Sequence, residues 1–345
     1  MKDVAARANV SIGTVDRVIH NRGEVSEDTK NKILKIIKDL DYRPNVIARS
    51  LASKKIYNFS ILLPFSNDEN EYWHYPHKGI ARAIQEIHDY GVHTHLLSFD
   101  LNDKDSFTKE TKQILDQQPD GILTAPVYYQ EVSALLEKCE ANNIPYSLID
   151  SNIEQAKKVS YIGQNAFRSG YLVAKLLDFG ITNDTTILLI SIAKEADNAN
   201  TIIRREKGFY DYFKEHNGQR KIHYLRITNF SETVINDTMN SIFDKYPNVG
   251  GIFVTNSRVH LIADYLKKNK SNHIKLIGYD LINHNLNFLK NGSIDFIISQ
   301  KPEEQGYRGI MSLFNDVVMK QVIATEQYLP IDIITKENLE DYLNY

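Results

Sequence analysis

From Tyr57 onward, short runs rich in Ile, Leu, Val, Phe and Tyr alternate with amphipathic helical stretches, and this alternation narrows the possible folds more than any other feature. FSILLPF, VHTHLLSF, PDGILTAPV and IPYSLID are separated by HKGIARAIQEIHDYG, FTKETKQILDQQ and EVSALLEKCEANN. A second set follows, in which VSYIG, TTILLIS, HYLRI, GGIFVTNS and IKLIGYD alternate with AFRSGYLVAKLLDFG, RREKGFYDYFKEH, ETVINDTMNSIFDKYP and VHLIADYLKK. A helix between two strands carries the chain back across the sheet, so such strands pair in parallel with helices on the faces. The expected fold is α/β, with two doubly wound lobes facing each other across a cleft. At 345 residues and 42% hydrophobic content, the chain can fill both lobes and still build a small head.

The head is legible in VAARANVSIGTVDRVIHNR, Val4 to Arg22. Val4, Ala5 and Ala8 form the apolar stripe of one short helix, and Val15, Val18 and Ile19 repeat it after a break at Asn9 to Ser11. Asn tolerates the left-handed corner, and Ser11 can cap the second helix. With the valines turned inward, the outer face of the second helix carries Ile12, Gly13, Asp16, Arg17 and His20, within reach of base edges. Ser26 is the expected cap of a third helix, with Glu27 and Asp28 near its positive end; its inward stripe is Ile33, Leu34, Ile36, Ile37 and Leu40, and Arg22, Lys30 and Lys32 flank it as phosphate contacts. Residues 1–56 hold 12 Lys and Arg against 7 Asp and Glu, a net +5, whereas the remainder holds 29 against 37, a net −8. A basic head and an acidic body suit a protein that grips a phosphate backbone at one end only.

Pairs of short helices occur in many domains that bind nothing; the residues downstream decide the matter. Asp3-Val4-Ala5, Val10-Ser11, Thr14-Val15, Arg17-Val18, Tyr42-Arg43-Pro44-Asn45 and Ala48-Arg49-Ser50-Leu51-Ala52 stand in order, and with them the chain resembles the lactose-repressor (LacI/GalR) family. The resemblance implies a helix-turn-helix domain over 1–44, a hinge helix and linker over 45–56, and an effector-binding and dimerisation body over 57–345. That body resembles a periplasmic binding protein, with one lobe of about 57–161 and 301–326 and another of about 162–300 and 327–345. Its implied DNA contacts are Ser11, Ile12, Gly13, Thr14, Asp16, Arg17, His20, Asn21, Arg22, Ala48 and Leu51. Arg17 is the expected base reader, since a guanidinium can donate twice to guanine. Ile12 and Gly13 match the two positions that most influence operator choice. Leu51, on a hinge helix over Val46 to Ala52, is the expected wedge in the minor groove.

The chain departs from the family pattern at three places. Asn9 replaces the usual Gly, which is tolerable because both accept positive φ. Asp16 stands where many members carry Ser, and the expectation is that it accepts from a cytosine amino group or steadies Arg17. Met1-Lys2 leaves the first helix without a cap, so either a frayed first turn or an upstream translation start is expected.

Ligands of two-lobed α/β bodies sit at strand ends facing the cleft. Asp150 ends IPYSLID, Arg205 opens REKGF, Asn256 follows GIFVT, Asp280 ends LIGYD and Gln300 ends DFIISQ. The resemblance implies effector contact for each. A carboxylate or amide can engage neighbouring hydroxyls, which suits a sugar, and Tyr72 and Trp73 could stack on its apolar face. Arg168 with Arg205 would suit a carboxylate, as in a uronic acid, though Arg168 could equally pair at the surface. Ser257 and Leu281 replace acidic residues usual in relatives, which leaves the ligand open. Asp68, Glu69, Glu71, His74 and His77 cluster between Phe65 and His77, but their irregular spacing favours solvated side chains over a metal site. His93 and His95, on one face of a strand, read as exposed surface.

The resemblance therefore implies a sequence-specific DNA-binding regulator, with a repressor of carbohydrate-utilisation genes controlled by a small sugar-like effector as the expected function. Its expected partners are a pseudo-palindromic double-stranded operator and a second copy of itself, with no metal, cofactor or membrane. Its single cysteine, Cys139, reads as a small buried hydrophobe, and MKDVAARANV has no signal-peptide core, so a cytoplasmic protein is expected. The alternatives are an activator, a transport receptor with the same body, or an enzyme. No G-x-G-x-x-G, G-x-x-x-x-G-K-[ST] or G-x-S-x-G motif is present to support catalysis.

Overall fold

A computed structural model describes residues 1–19, 23–40, 55–193, 199–216, 218–271 and 273–344. They fall into two compact units, Met1–Lys55 and Ile56–Tyr345.

In the first unit, α1 (Lys2–Ala8) ends where Asn9 adopts the left-handed conformation, φ 59° and ψ 47°. Ser11 Oγ then accepts from the Thr14 amide at 3.1 Å and caps α2 (Ile12–Ile19). Helix α3 (Glu27–Asp39) closes a core of Val4, Ala5, Ala8, Val15, Val18 and Ile33. Full burial of each larger member stabilises the unit by roughly 1.5–3 kcal/mol. Two expectations are corrected. Ser26 stands at the N-cap position of α3, yet its hydroxyl donates to Thr29 Oγ1 at 2.8 Å rather than accepting a helix amide. Leu34 is 45% exposed, because a stripe that already turns Ile33, Ile36 and Ile37 inward leaves its neighbour facing out. His20, Asn21, Arg22, Ala48, Leu51 and the expected hinge helix lie outside the described residues.

The second unit holds two six-stranded sheets. Lobe one contains β1 (Tyr57–Pro64), a 3-10 turn (Asp68–Trp73), α4 (His74–Ile87), β2 (Val92–Phe99), α5 (Lys104–Gln117), β3 (Gly121–Thr124), α6 (Tyr129–Ala141), β4 (Tyr146–Ile149) and β5 (Ser160–Gln164). Lobe two follows with α7 (Ala166–Gly180), β6 (Thr186–Ile192), α8 (Ala199–His216), β7 (Ile222–Ile227), α9 (Glu232–Lys245), β8 (Val249–Val254), α10 (Val259–Lys268), β9 (Lys275–Tyr279), α11 (Asn283–Lys290) and β10 (Phe296–Ser299). The chain returns through α12 (Pro302–Leu313), which packs on α4, and β11 (Glu326–Leu329), then crosses again to β12 (Asp332–Ile334) and α13 (Leu339–Asn344).

The strand orders are β11-β5-β4-β3-β1-β2 and β12-β10-β9-β8-β6-β7, parallel throughout except where β12 runs antiparallel to β10. Matching positions in the two orders make β4 the counterpart of β9. Central strands are covered on both faces, which explains why they read as continuous apolar runs: all four residues of β3 and all seven of β6 are buried. The edge strand β2 leaves His93 and His95 exposed. The first and third crossings follow Gln164 and Leu329, three residues later than the sequence placed them, because β5 and β11 pair as far as those residues. Gln164 ties the crossings together, with Nε2 donating to Ser299 O at 3.0 Å and Pro330 O at 3.3 Å.

Helices α7 and α8 approach so closely that a Cβ on Gly170 would stand 1.9 Å from Arg205 O, and one on Gly208 1.9 Å from Phe167 O. Glycine at both positions sets the depth of α8 and hence the placement of Arg205.

Candidate ligand cleft and nucleic-acid interface

The strand ends of both sheets meet at one cavity of about 350 Å³. Asp150 follows β4 and Asp280 follows β9, so the two carboxylates are topological counterparts. Both residues adopt positive φ, 65° and 69°. For a residue with a Cβ this conformation costs about 1–2 kcal/mol, which the surrounding contacts must hold in place.

Those contacts are specific. The Tyr72 hydroxyl donates to Asp150 Oδ1 at 2.8 Å, and the Asp150 amide donates to Gln305 Oε1 at 2.7 Å. Gln300 Nε2 lies 3.0 Å from each oxygen of Asp280, and Gln300 Oε1 accepts from Arg205 Nη2. Arg205 Nη1 donates to Thr255 O at 2.7 Å, and its guanidinium lies over the Tyr279 ring, 3.6 Å from the centroid. Asn285 Nδ2 lies within 2.9 Å of the carbonyl oxygens of Ser257, Tyr279 and Asp280, which pins the turn that bears the carboxylate. Asn256 Nδ2 donates to Ile192 O at 2.6 Å.

Burial dominates the electrostatics. It pushes the Asp280 carboxyl up to about 7, against the opposing pull of Arg205 and the Gln300 amide, with Asp150 adding a further upward push. Burial, then the neighbouring Asp150 charge, raises the Tyr72 hydroxyl far above its ordinary value, so it acts as a donor. Arg205 Nε is buried with no hydrogen-bond partner. The arrangement thus offers a ligand several carboxylate acceptors, which complement the hydroxyls of a polyhydroxylated molecule.

All seven cleft residues singled out from sequence, Tyr72, Trp73, Asp150, Arg205, Asn256, Asp280 and Gln300, line this cavity. Tyr72 and Trp73 belong to the 3-10 turn and meet edge to face at 5.2 Å, with Tyr72 orienting Asp150. Arg168 does not join them: it is exposed on α7, so the expected pair of arginines for a carboxylate does not form. Among the described residues no group of three His, Cys, Asp or Glu side chains could hold a metal ion, and Glu71 and His77 bond elsewhere.

In the head, α2 turns Val15 and Val18 inward and exposes Ser11, Ile12, Gly13 and Arg17, with Thr14 and Asp16 half-buried. Ile12, on this outer face, is 46% exposed.

Comparison with known proteins agrees with this division. Residues 1–45 match the model of the bacterial regulatory proteins of the lacI family, and residues 61–318 match a periplasmic binding protein domain. The structure of a LacI transcriptional regulator from Bacteroides fragilis is 32% identical, with a TM-score of 0.78 over 84% of this chain and all of that one. This chain belongs to the lacI family. Catabolite control protein A of Staphylococcus aureus is 36% identical over 121 residues, which span 35% of each chain. A glucose-galactose binding protein from Geobacillus stearothermophilus, 21% identical, shares the body's fold over 83% of this chain and 99% of its own, with a TM-score of 0.72. Within this lacI-family cleft, sequence reasoning missed Glu71, Arg258, His260 and His284 as lining residues, and Asn285 and Gln305 as supports. Glu71 and Gln305 meet partners 212 and 155 residues away, and no local pattern announces any of the six. Among the described residues no helix is long and apolar enough to cross a membrane.

Proposed function

We propose that this lacI-family chain is a cytoplasmic, homodimeric repressor of carbohydrate-utilisation genes whose operator binding is set by a small, neutral sugar-like effector. The observation that carries the reading is the convergence of Asp150, Asp280, Gln300 and Arg205 on one small cavity, in a chain that also bears a helix-turn-helix. Hydroxyls can donate to both carboxylates, and Arg205 lines the same cavity. The cavity volume lies at the small end of ligand sites, which run to roughly 300–1,000 Å³. Ligand contacts that span both lobes favour one lobe arrangement over another, and an arrangement that alters pairing of two heads alters operator affinity.

On this reading Arg17 reads a base edge, Ile12 meets a thymine methyl, and Ser11 and Thr14 fix the start of the recognition helix. Lys30 and Lys32 hold phosphates. A dimer presents two such helices, which suits a pseudo-palindrome. Footprinting of the native protein on DNA flanking its own gene tests the proposal. The expected result is a symmetric protected site whose protection changes when one neutral monosaccharide is added; no protected site under any sugar would overturn it.

A further inference from the structure

One corner of the cleft has the chemistry of an anion site, and the chain fills it with its own carboxylate. Glu71, on the 3-10 turn of lobe one, reaches the first turn of α11 in lobe two. The Asn283 amide donates to Glu71 Oε1 at 2.7 Å, and His284 Nδ1 lies 3.1 Å from Oε2. A helix N-terminus with an imidazole beside it would otherwise suit the carboxylate or phosphate of a ligand. Behind His284 lies His260, stacked at 5.1 Å, which burial and the neighbouring His284 lower to about 4. Glu71, His260 and His284 line the same cavity as Asp150 and Asp280.

The lobes hold this corner from both sides. The Tyr75 hydroxyl donates to Leu281 O at 3.0 Å across the cleft. Ile282, 5% exposed, is buried with the apolar core of lobe one. The Glu71 side chain is itself only 15% exposed. Arg258, which also lines the cavity, donates to Ile192 O at 2.9 Å and lies over the Phe230 ring at 4.3 Å. Arg205 lines the cavity with Asp150 and Asp280, and an acidic ligand would meet the like charge of Glu71 and of both aspartates.

We infer that Glu71 is a specificity-determining residue: by filling the anion corner of the cleft from the opposite lobe, it restricts the ligand to uncharged polyhydroxylated molecules and shuts out their carboxylated or phosphorylated counterparts. The inference rests on the reading of the cleft as a sugar site and adds which sugars it refuses. Like charges brought together in such a site weaken binding by roughly 100-fold or more.

Calorimetric titration of the full chain with neutral pentoses and hexoses, their uronic acids and their sugar phosphates tests it, in the wild type, Glu71→Gln and Glu71→Ala. The wild type binds a neutral sugar and holds the matching acid about 100-fold more weakly. Glu71→Ala narrows that gap by about tenfold or more. Glu71→Gln narrows it less, because its amide oxygen still accepts from Asn283 while the charge is gone. Circular dichroism checks that each variant folds, and the near-isosteric Gln variant keeps the test intact if the Ala variant does not. An acidic sugar bound by the wild type as tightly as its neutral parent, or an unchanged ratio in the Gln variant, overturns the role of Glu71 and leaves the sugar site standing. No binding of any sugar in the panel overturns the sugar site, and this role with it.

Discussion

Asp280 has to be buried to face the cleft and ionised to accept from a ligand, and the two demands oppose each other. Burial lifts its carboxyl from 3.8 to about 7; the charged and titratable groups facing it are Arg205 on α8, Asp150 after β4, and Tyr72, Tyr75, Tyr279 and Tyr342. Between those two values the folded chain keeps a proton that the unfolded chain has lost. The group's contribution to stability therefore falls as pH rises through that window and is level above it. A hydroxyl that donates to Asp280 favours the ionised form, so ligand uptake releases a proton. Affinity for the neutral ligand should rise with pH, by at most about tenfold per unit below pH 7, and level off above it. Titrations between pH 5.5 and 8.5 check this, and affinity that falls with pH would mean that the carboxyl donates instead. Asp280→Asn should lower affinity by about tenfold or more and remove the pH dependence, as expected for loss of a charge-assisted bond worth roughly 1.5–3 kcal/mol.

Among the elements, α8 and α2 carry separable consequences. A Cβ on Gly170 would collide with the backbone of Arg205, so Gly170→Ala must push α8 away from α7. The expected result is a loss of roughly 1–3 kcal/mol in denaturant unfolding, accompanied by weaker ligand binding because Arg205 moves with its helix. Full ligand affinity in that variant would show that the depth of α8 does not matter. On α2, Arg17→Ala should cost about 1–3 kcal/mol on the operator and relax preference at one base pair, with little change on random DNA. Competition binding separates that outcome from loss of a phosphate contact, which weakens all sequences alike. The same elements show what a sequence can reveal. Asp150, Asp280 and Gln300 were legible because each ends a run of strand residues, and strand ends in such a fold face the cleft. Val4, Val15 and Val18 were legible from helical spacing. Glu71 and Asn285 were not: Glu71 meets Asn283 and His284, 212 and 213 residues away in the other lobe, and Asn285 ties the turn after β9 to Ser257, 28 residues away, within lobe two. Leu34 misled because an apolar residue beside an apolar stripe looks the same in sequence whether or not the helix turns it inward.

For the whole molecule, control of operator binding by a sugar requires that one small cavity and one DNA-reading head be linked thermodynamically. Linkage of this kind is typically worth about 1–3 kcal/mol, a change in operator affinity of roughly 5–150-fold, and it is reciprocal. The operator must then alter sugar affinity by the same factor as the sugar alters operator affinity. Contacts across the cleft, from Glu71 to α11, Tyr75 to Leu281 and Asn200 to Asn152, are where ligand and lobe arrangement meet. The most direct test is fluorescence anisotropy of a labelled operator titrated with the full chain, with and without saturating neutral sugar, for the wild type and Asp280→Asn. A sugar-dependent shift of at least about fivefold is expected in the wild type, and the variant, which should still bind DNA, should need about tenfold or more higher sugar to show it. Operator affinity that stays the same in the wild type, at sugar concentrations shown by calorimetry to fill the cleft, would contradict it.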